Sequence, residues 1–166
     1  MGGAMKKVGL IMGRHSDLPV VQKAAAVLKE LGIPYEAHVY SAHRTPAEAG
    51  AWSLAARDKG FGVVIAFAGM AAHLAGAIAA NTTLPVIGVP CKSAALDGMD
   101  ALLSTVMMPS GIPVATVAID GGKNAALLAA EILALSDEEL AQALIARRKA
   151  ESEAVLKKDQ GIADRI

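Results

Sequence analysis

Five short apolar runs, at residues 7–12, 35–40, 63–67, 85–89 and 113–118, constrain most strongly what this chain can fold into. Each reads as a continuous strand bounded by glycine or proline, and the expectation is burial on both faces. Longer segments separate them. A helix is expected over about 19–31, with Pro19 in its first turn and Gly32 at its stop, and others over 46–60, over about 71–80 and from near Asn124. Strand and helix alternating in this way predict a doubly wound α/β fold, a three-layer αβα sandwich around a central parallel sheet. Apolar residues make up 54% of the chain but aromatic ones only 3%, so the core is built from Ala, Val, Ile and Leu, which suits tight packing of helices on a sheet. No repeat or linker interrupts the 166 residues, and 1–166 is read as a single domain with an α/β core over about 5–135.

The tail has a different composition. From Asp137 to about Ile162 it is rich in Ala, Glu, Lys and Arg, with a thin apolar stripe at Leu140, Ala143, Leu144, the Arg147 stem, Ala150 and Ala154. Two readings are open: a solvated helix, or one packed on a neighbouring subunit. The second is preferred, since a lone monomer gives such a stripe little to cover.

Sixteen basic and sixteen acidic residues cancel, so there is no broad positive field for nucleic acid or an anionic membrane. Any anion must be held locally. No apolar run approaches the roughly 20 residues needed to span a bilayer, and residues 1–4 begin no secretion signal. The single Cys91 excludes an intramolecular disulfide. The expectation is a soluble, cytoplasmic protein.

Parallel strands send the loops after strands one, two and three to the same carboxyl edge, where open α/β sheets bind ligands. Those loops carry Ser16 and Asp17; Ser41, His43 and Arg44; and Gly69 and His73. Ser16, Ser41 and Arg44 have donors for a phosphate, whereas Asp17 suits sugar hydroxyls. A histidine titrates near neutrality and can move protons on whatever the phosphate anchors. Plainer explanations compete with each. Ser16 or Asp17 could simply cap a helix, Thr45 could cap the one that Pro46 opens, and His73 could be a buried ring bonded to backbone. His15 and His38 read as background, Cys91 as a small buried hydrophobe, and Gly121-Gly122-Lys123-Asn124 as a turn into a helix. Four histidines without a partner at ligand spacing make no convincing metal site.

Six segments in order carry a resemblance: Gly13 with Ser16-Asp17; Ser41-Ala42-His43-Arg44-Thr45-Pro46; Ala71-Ala72-His73-Leu74; Leu84-Pro85-Val86-Ile87-Gly88-Val89-Pro90; Met108-Pro109 followed by Gly111-Ile112-Pro113-Val114-Ala115-Thr116-Val117-Ala118-Ile119; and Asn124-Ala125-Ala126-Leu127-Leu128-Ala129. Over about 8–135 the chain resembles the class I 5-(carboxyamino)imidazole ribonucleotide mutases of purine biosynthesis. The resemblance implies a flavodoxin-like subunit with an extra C-terminal helix, a homo-octamer, and no cofactor or metal. It implies a ribonucleotide substrate whose carboxylate moves from the exocyclic amine to ring carbon 4 through released carbon dioxide. His43 is then the acid/base and His73 bonds the carboxylate. Ser16, Ser41 and Arg44 hold the phosphate, and Asp17 the ribose hydroxyls. Ala68, Gly69, Met70 and Ala71 wall the base and carbon dioxide pocket, with Gly13, Ala42 and Leu74 completing the substrate contacts.

The chain also departs from the pattern. Arg14 stands where the family usually has serine, and would either add charge toward the phosphate or crowd the site. Phe67 replaces a glycine, Ala75 a proline, Met107 a glutamine, and Gly69-Met70 the commoner Gly-Gly. Three alternatives accompany the mutase: a carboxylase taking carbon dioxide directly, which usually carries a lysine after the corresponding histidine; a carboxylase of another nucleotide, such as the one that begins nickel-pincer cofactor assembly; and a catalytically silent oligomeric homologue.

Overall fold

The run Phe61-Gly62-Val63-Val64-Ile65-Ala66-Phe67-Ala68-Gly69 forms the middle strand of a five-stranded sheet in this computed structural model, which describes residues 5–160 together with Ile162 and Arg165. In chain order the elements are β1 (Lys7–Met12), a 3₁₀ turn (His15–Asp17), α1 (Leu18–Glu30), β2 (Tyr35–Val39), α2 (Pro46–Ala55), β3 (Phe61–Gly69), α3 (Leu74–Ala79), β4 (Val86–Cys91), α4 (Met99–Val106), β5 (Ala115–Thr116), α5 (Gly122–Ala134) and α6 (Glu138–Asp159). The sheet runs β2-β1-β3-β4-β5 with every pairing parallel, the flavodoxin-like order.

Alternation along the strands feeds two cores. Val8, Leu10, Met12, Val63, Ile65 and Phe67 pack with α1 and α5, whereas Ile11, Val64 and Ala66 pack with α2 and α3. On the first face Ala125, Ala126, Ala129 and Ala130 are fully buried, and their small side chains let α5 lie close to α1 and the sheet. Each buried Val, Leu or Ile contributes about 1.5–3 kcal/mol relative to exposure.

Several elements differ from the sequence reading. β2 sits at the sheet edge, so its residues are mostly exposed and burial on both faces does not hold for it. β5 keeps only two paired residues of the expected 113–118, because only Ala115 and Thr116 reach β4. Helix α2 ends at Ala55 instead of running to 60, and α3 begins at Leu74 instead of 71. Helix α4 has no counterpart in the sequence reading. The expected tail helix is present as α6, with Asp137 Oδ1 accepting from the Leu140 amide at 3.0 Å as its cap. Its Leu140 is buried on its own subunit, and Arg147 pairs there with Glu30; Ala143, Ala150 and Ala154 are exposed.

The register sets up the site. Met12 of β1 lies beside Val39 and Phe67, so β1 and β2 finish level, β3 runs two residues further beside β4, and the loops that follow all three leave the same edge of the sheet.

Candidate active site

A cavity of about 230 Å³ opens at that carboxyl edge. The first loop contributes Gly13, Arg14 and Asp17; the second contributes Ser41, Ala42, His43 and Arg44; the third contributes Ala68, Gly69, Met70, Ala71, His73 and Leu74. Of the residues singled out from sequence, Ser16 alone does not line this cavity. It is exposed and lines an adjoining depression of about 430 Å³ that also holds Arg14, Ser41, Arg44 and Thr45. Arg14, absent from the candidate set, lines both spaces. The signal for it was its position two residues before Ser16-Asp17 on the same loop.

Local hydrogen bonds shape the second loop. Thr45 Oγ1 accepts from the Ser41 amide at 2.8 Å and donates to the Ser41 carbonyl at 3.2 Å. It therefore ties the loop closed and makes no cap for α2. Ser41 Oγ accepts from the Arg44 amide at 3.1 Å, which leaves the hydroxyl proton free to donate. His43 and Arg44 project from this closed turn and are exposed.

The third loop is tight for a different reason. The Ala72 amide donates to the Met70 carbonyl and the His73 amide to the Ala71 carbonyl, at 2.9 and 2.8 Å. Met70 adopts a left-handed backbone at φ +59° to permit this. The turn delivers His73 to the start of α3 with its ring exposed, so the plainer reading of a buried ring does not apply. The His43 and His73 rings face each other with centroids 5.5 Å apart and planes inclined by 57°.

Asp17 precedes α1 but makes no capping bond. Its side chain is only 3% exposed; Oδ1 accepts from Arg14 Nη2 at 3.0 Å, and Oδ2 has no partner. Burial raises its pKa above the ordinary value of 3.8, opposed by the Arg14 guanidinium and reinforced by the charge of Asp120. Arg14 lies across Gly69: a Cβ there would collide with the guanidinium and come within 3.0 Å of the Cys91 carbonyl oxygen. Glycine at 69 leaves room for that close approach, and any larger residue would push Arg14 aside.

The other departures fall outside the cavity lining. Phe67 is fully buried between the sheet and the α1/α5 layer, beneath the site. Ala75 packs under Gly88, and Met107 is exposed at the end of α4. Cys91 is buried, and burial with the nearby Asp17 and Asp120 charges pushes its thiol up to about 12, which keeps it protonated and unreactive. Among the described residues no group of three or more His, Cys, Asp or Glu side chains is placed to hold a metal ion, and no helix is long and apolar enough to cross a membrane.

What remains is a small cavity with two imidazoles, two arginines, the Ser41 hydroxyl and a buried carboxylate on a floor of alanine and glycine backbone. It can anchor an anionic, hydroxylated ligand and transfer protons on a group held beside the two rings.

Comparison with known proteins places the chain in context. Residues 7–154 match the family model described as AIR carboxylase. The N5-carboxyaminoimidazole ribonucleotide mutase of Pyrococcus horikoshii is 59% identical over 137 residues, 82% of this chain and 77% of the relative. The enzyme of that name from Thermotoga maritima is 49% identical over 156 residues, covering 94% and 91%. The crystal structure of Treponema denticola PurE superposes with a TM-score of 0.83 at 30% identity, over 93% of this chain and 96% of that one.

Proposed function

Since the chain belongs to the AIR carboxylase family, we propose that it is an N5-carboxyaminoimidazole ribonucleotide mutase of purine biosynthesis, an isomerase that moves a carboxylate from the exocyclic nitrogen to ring carbon 4. The carrying observation is that His43 and His73 face each other, centroids 5.5 Å apart, over the small-residue loop at 68–71, with relatives of that name 49–59% identical over most of the chain.

In this reading the base lies against Ala68, Gly69, Met70 and Ala71, with Gly13, Ala42 and Leu74 beside it. The phosphate sits in the outer depression with Ser16, Ser41 and Arg44. Ribose hydroxyls donate to Asp17, whose Oδ2 has no partner within the protein. The carbon–nitrogen bond of the carboxyamino group breaks, its electron pair stays on nitrogen, and His43 supplies the proton that makes the amine. Carbon dioxide is released beside ring carbon 4, which the electron-rich aminoimidazole makes nucleophilic. A carbon–carbon bond forms, and the ring-carbon proton returns to His43, which ends the cycle as it began. His73 donates to the carboxylate. Carbon dioxide that escapes ends the transfer, so the closeness of the small-residue wall matters. No cofactor or metal takes part in these steps.

We also propose a soluble cytoplasmic homo-octamer. The exposed Met99, Leu103 and Val106 of α4 with the flanking Leu96 and Met107, and the exposed Val155 and Leu156 of α6, are apolar surface of the kind a neighbouring subunit covers. Ultraviolet absorbance tests the function directly. Protein without ATP or added metal should convert 5-(carboxyamino)imidazole ribonucleotide to the 4-carboxylate, and His43→Asn should lose about 100-fold or more with the fold retained. Conversion at undiminished rate in the variant would remove His43 from the chemistry.

A further inference from the structure

We infer that Arg14, braced by Asp17, is the residue with which this chain selects a phosphorylated riboside over the same molecule without its phosphate. The inference rests on the function proposed above and concerns the outer depression of that site.

Charge is unevenly distributed there. The depression is lined by two arginines, Arg14 and Arg44, and by the hydroxyls of Ser16, Ser41 and Thr45, and no carboxylate lines it. In a chain whose formal charges cancel, this is a local positive field with nothing inside the depression to neutralise it. Among the described residues Arg44 has no acidic partner within ion-pair distance, and Arg14 has one, Asp17.

The Arg14–Asp17 pair leaves itself incomplete. Arg14 Nη2 donates to Asp17 Oδ1 at 3.0 Å, yet Arg14 Nε and Asp17 Oδ2 are both buried without a partner. Each such atom costs free energy when dry. A ligand carrying both an anion and a hydroxyl offers a partner to each. A sugar phosphate has both. Asp17 fixes one edge of the guanidinium and Gly69 clears its path, so little side-chain freedom remains to be lost when the other edge takes a phosphate oxygen.

Arg14→Met removes the charge at similar length, and Arg14→Lys keeps it. In Arg14→Met, KM for the carboxyaminoimidazole ribonucleotide should rise about 10–100-fold while kcat stays within about threefold, the pattern of lost ground-state binding. Affinity for ribose 5-phosphate, read by calorimetry, should fall by the same factor, and that for aminoimidazole riboside should change by less than about threefold. Arg14→Lys should recover part of the loss, and added salt should weaken wild type more than Arg14→Met. Should Arg14→Met fold poorly with Asp17 left unpaired, Arg14→Met/Asp17→Asn removes both charges and should show the same loss of ribose 5-phosphate binding. An unchanged or lower KM, equal losses for riboside and phosphate, or a fall in kcat at constant KM would each overturn the assignment. Wild type that binds ribose 5-phosphate through Arg14 but performs no carboxylate transfer would overturn the proposed reaction and leave this inference standing. Transfer with phosphate binding indifferent to Arg14 would do the reverse.

Discussion

Met70 offers a sharp test of how this site is built, because its backbone and side chain can be perturbed separately. At φ +59° it holds a left-handed conformation that costs an L-residue about 1–2 kcal/mol. Its side chain is 53% exposed, so little burial offsets that cost. Replacing Met70 by alanine trims the side chain and keeps the strain. Replacing it by glycine removes the strain too, but adds about 0.5–1 kcal/mol of freedom to the unfolded chain. The difference leaves Met70→Gly more stable than Met70→Ala by about 0.5–1 kcal/mol, the opposite sign to the usual alanine-over-glycine preference inside helices and strands. Urea unfolding of the three proteins at one protein concentration measures this, provided the slopes agree. Glycine less stable than alanine by about 0.5 kcal/mol or more would refute the strain argument. Met70 lines the cavity and a neighbouring depression, so strain at this position is held at the proposed site.

Three further outcomes are expected from the packing and the ionisation. Gly122→Ala would drive a Cβ into the Val20 carbonyl oxygen where α5 crosses α1; backbone cannot step aside as a side chain can, and the loss should be about 1–3 kcal/mol in the same urea assay. Asp17 has a raised pKa, so between 3.8 and its folded value the native state holds the proton more readily than the unfolded chain. Its contribution to stability is therefore fullest below 3.8 and is lost as pH rises through the folded value. Asp17→Asn, which cannot ionise, should gain on wild type at neutral pH, and the gap should close on acidification; a gap that widens in acid would show the Arg14 attraction prevailing over burial. The Cys91 thiol, pushed up to about 12 and 2% exposed, should ignore a disulfide reagent in native protein and react promptly in denaturant.

The strands and the gathering of three polar loops around one cavity were legible because burial on both faces produces continuous apolar runs, and because parallel topology alone brings the loops to the strands' carboxyl ends. Helix α4 was hidden for the converse reason. Only Ala101 and Thr105 of it are buried, while Met99, Leu103 and Val106, with Leu96 before it and Met107 at its end, are exposed, so its apolar pattern is out of phase with its own core. The exposure of β2 was not legible, since edge position is a property of strand order and no feature of 35–40 states it. The exposed ring of His73 depends on the left-handed turn at Met70, which a methionine gives no hint of. Arg14 could be seen as a departure from a family pattern, but its bond to a buried carboxylate and its place across Gly69 are tertiary facts.

These features bear on one requirement of the proposed reaction, that a small neutral intermediate be held between two bonding events. Nothing in the wall at 68–71 bonds carbon dioxide strongly, so retention has to come from geometry and from the substrate closing its own pocket. The lining of the two spaces favours that orientation. Both arginines line both spaces, but His43 and His73 line the inner cavity and not the outer depression, so a phosphate held in the outer depression leaves the base to fill the smaller inner cavity. Asp17, buried in the lining of the inner cavity and lacking a partner for Oδ2, is placed to fix the ribose there. Weakening the phosphate anchor should therefore loosen the ring as well as the tail of the substrate. In Arg14→Met, whose kcat is expected to stay within about threefold, escape should be a minority path that still exceeds wild type: free carbon dioxide and aminoimidazole ribonucleotide should appear beside the 4-carboxylate at a higher ratio than in the unmodified protein.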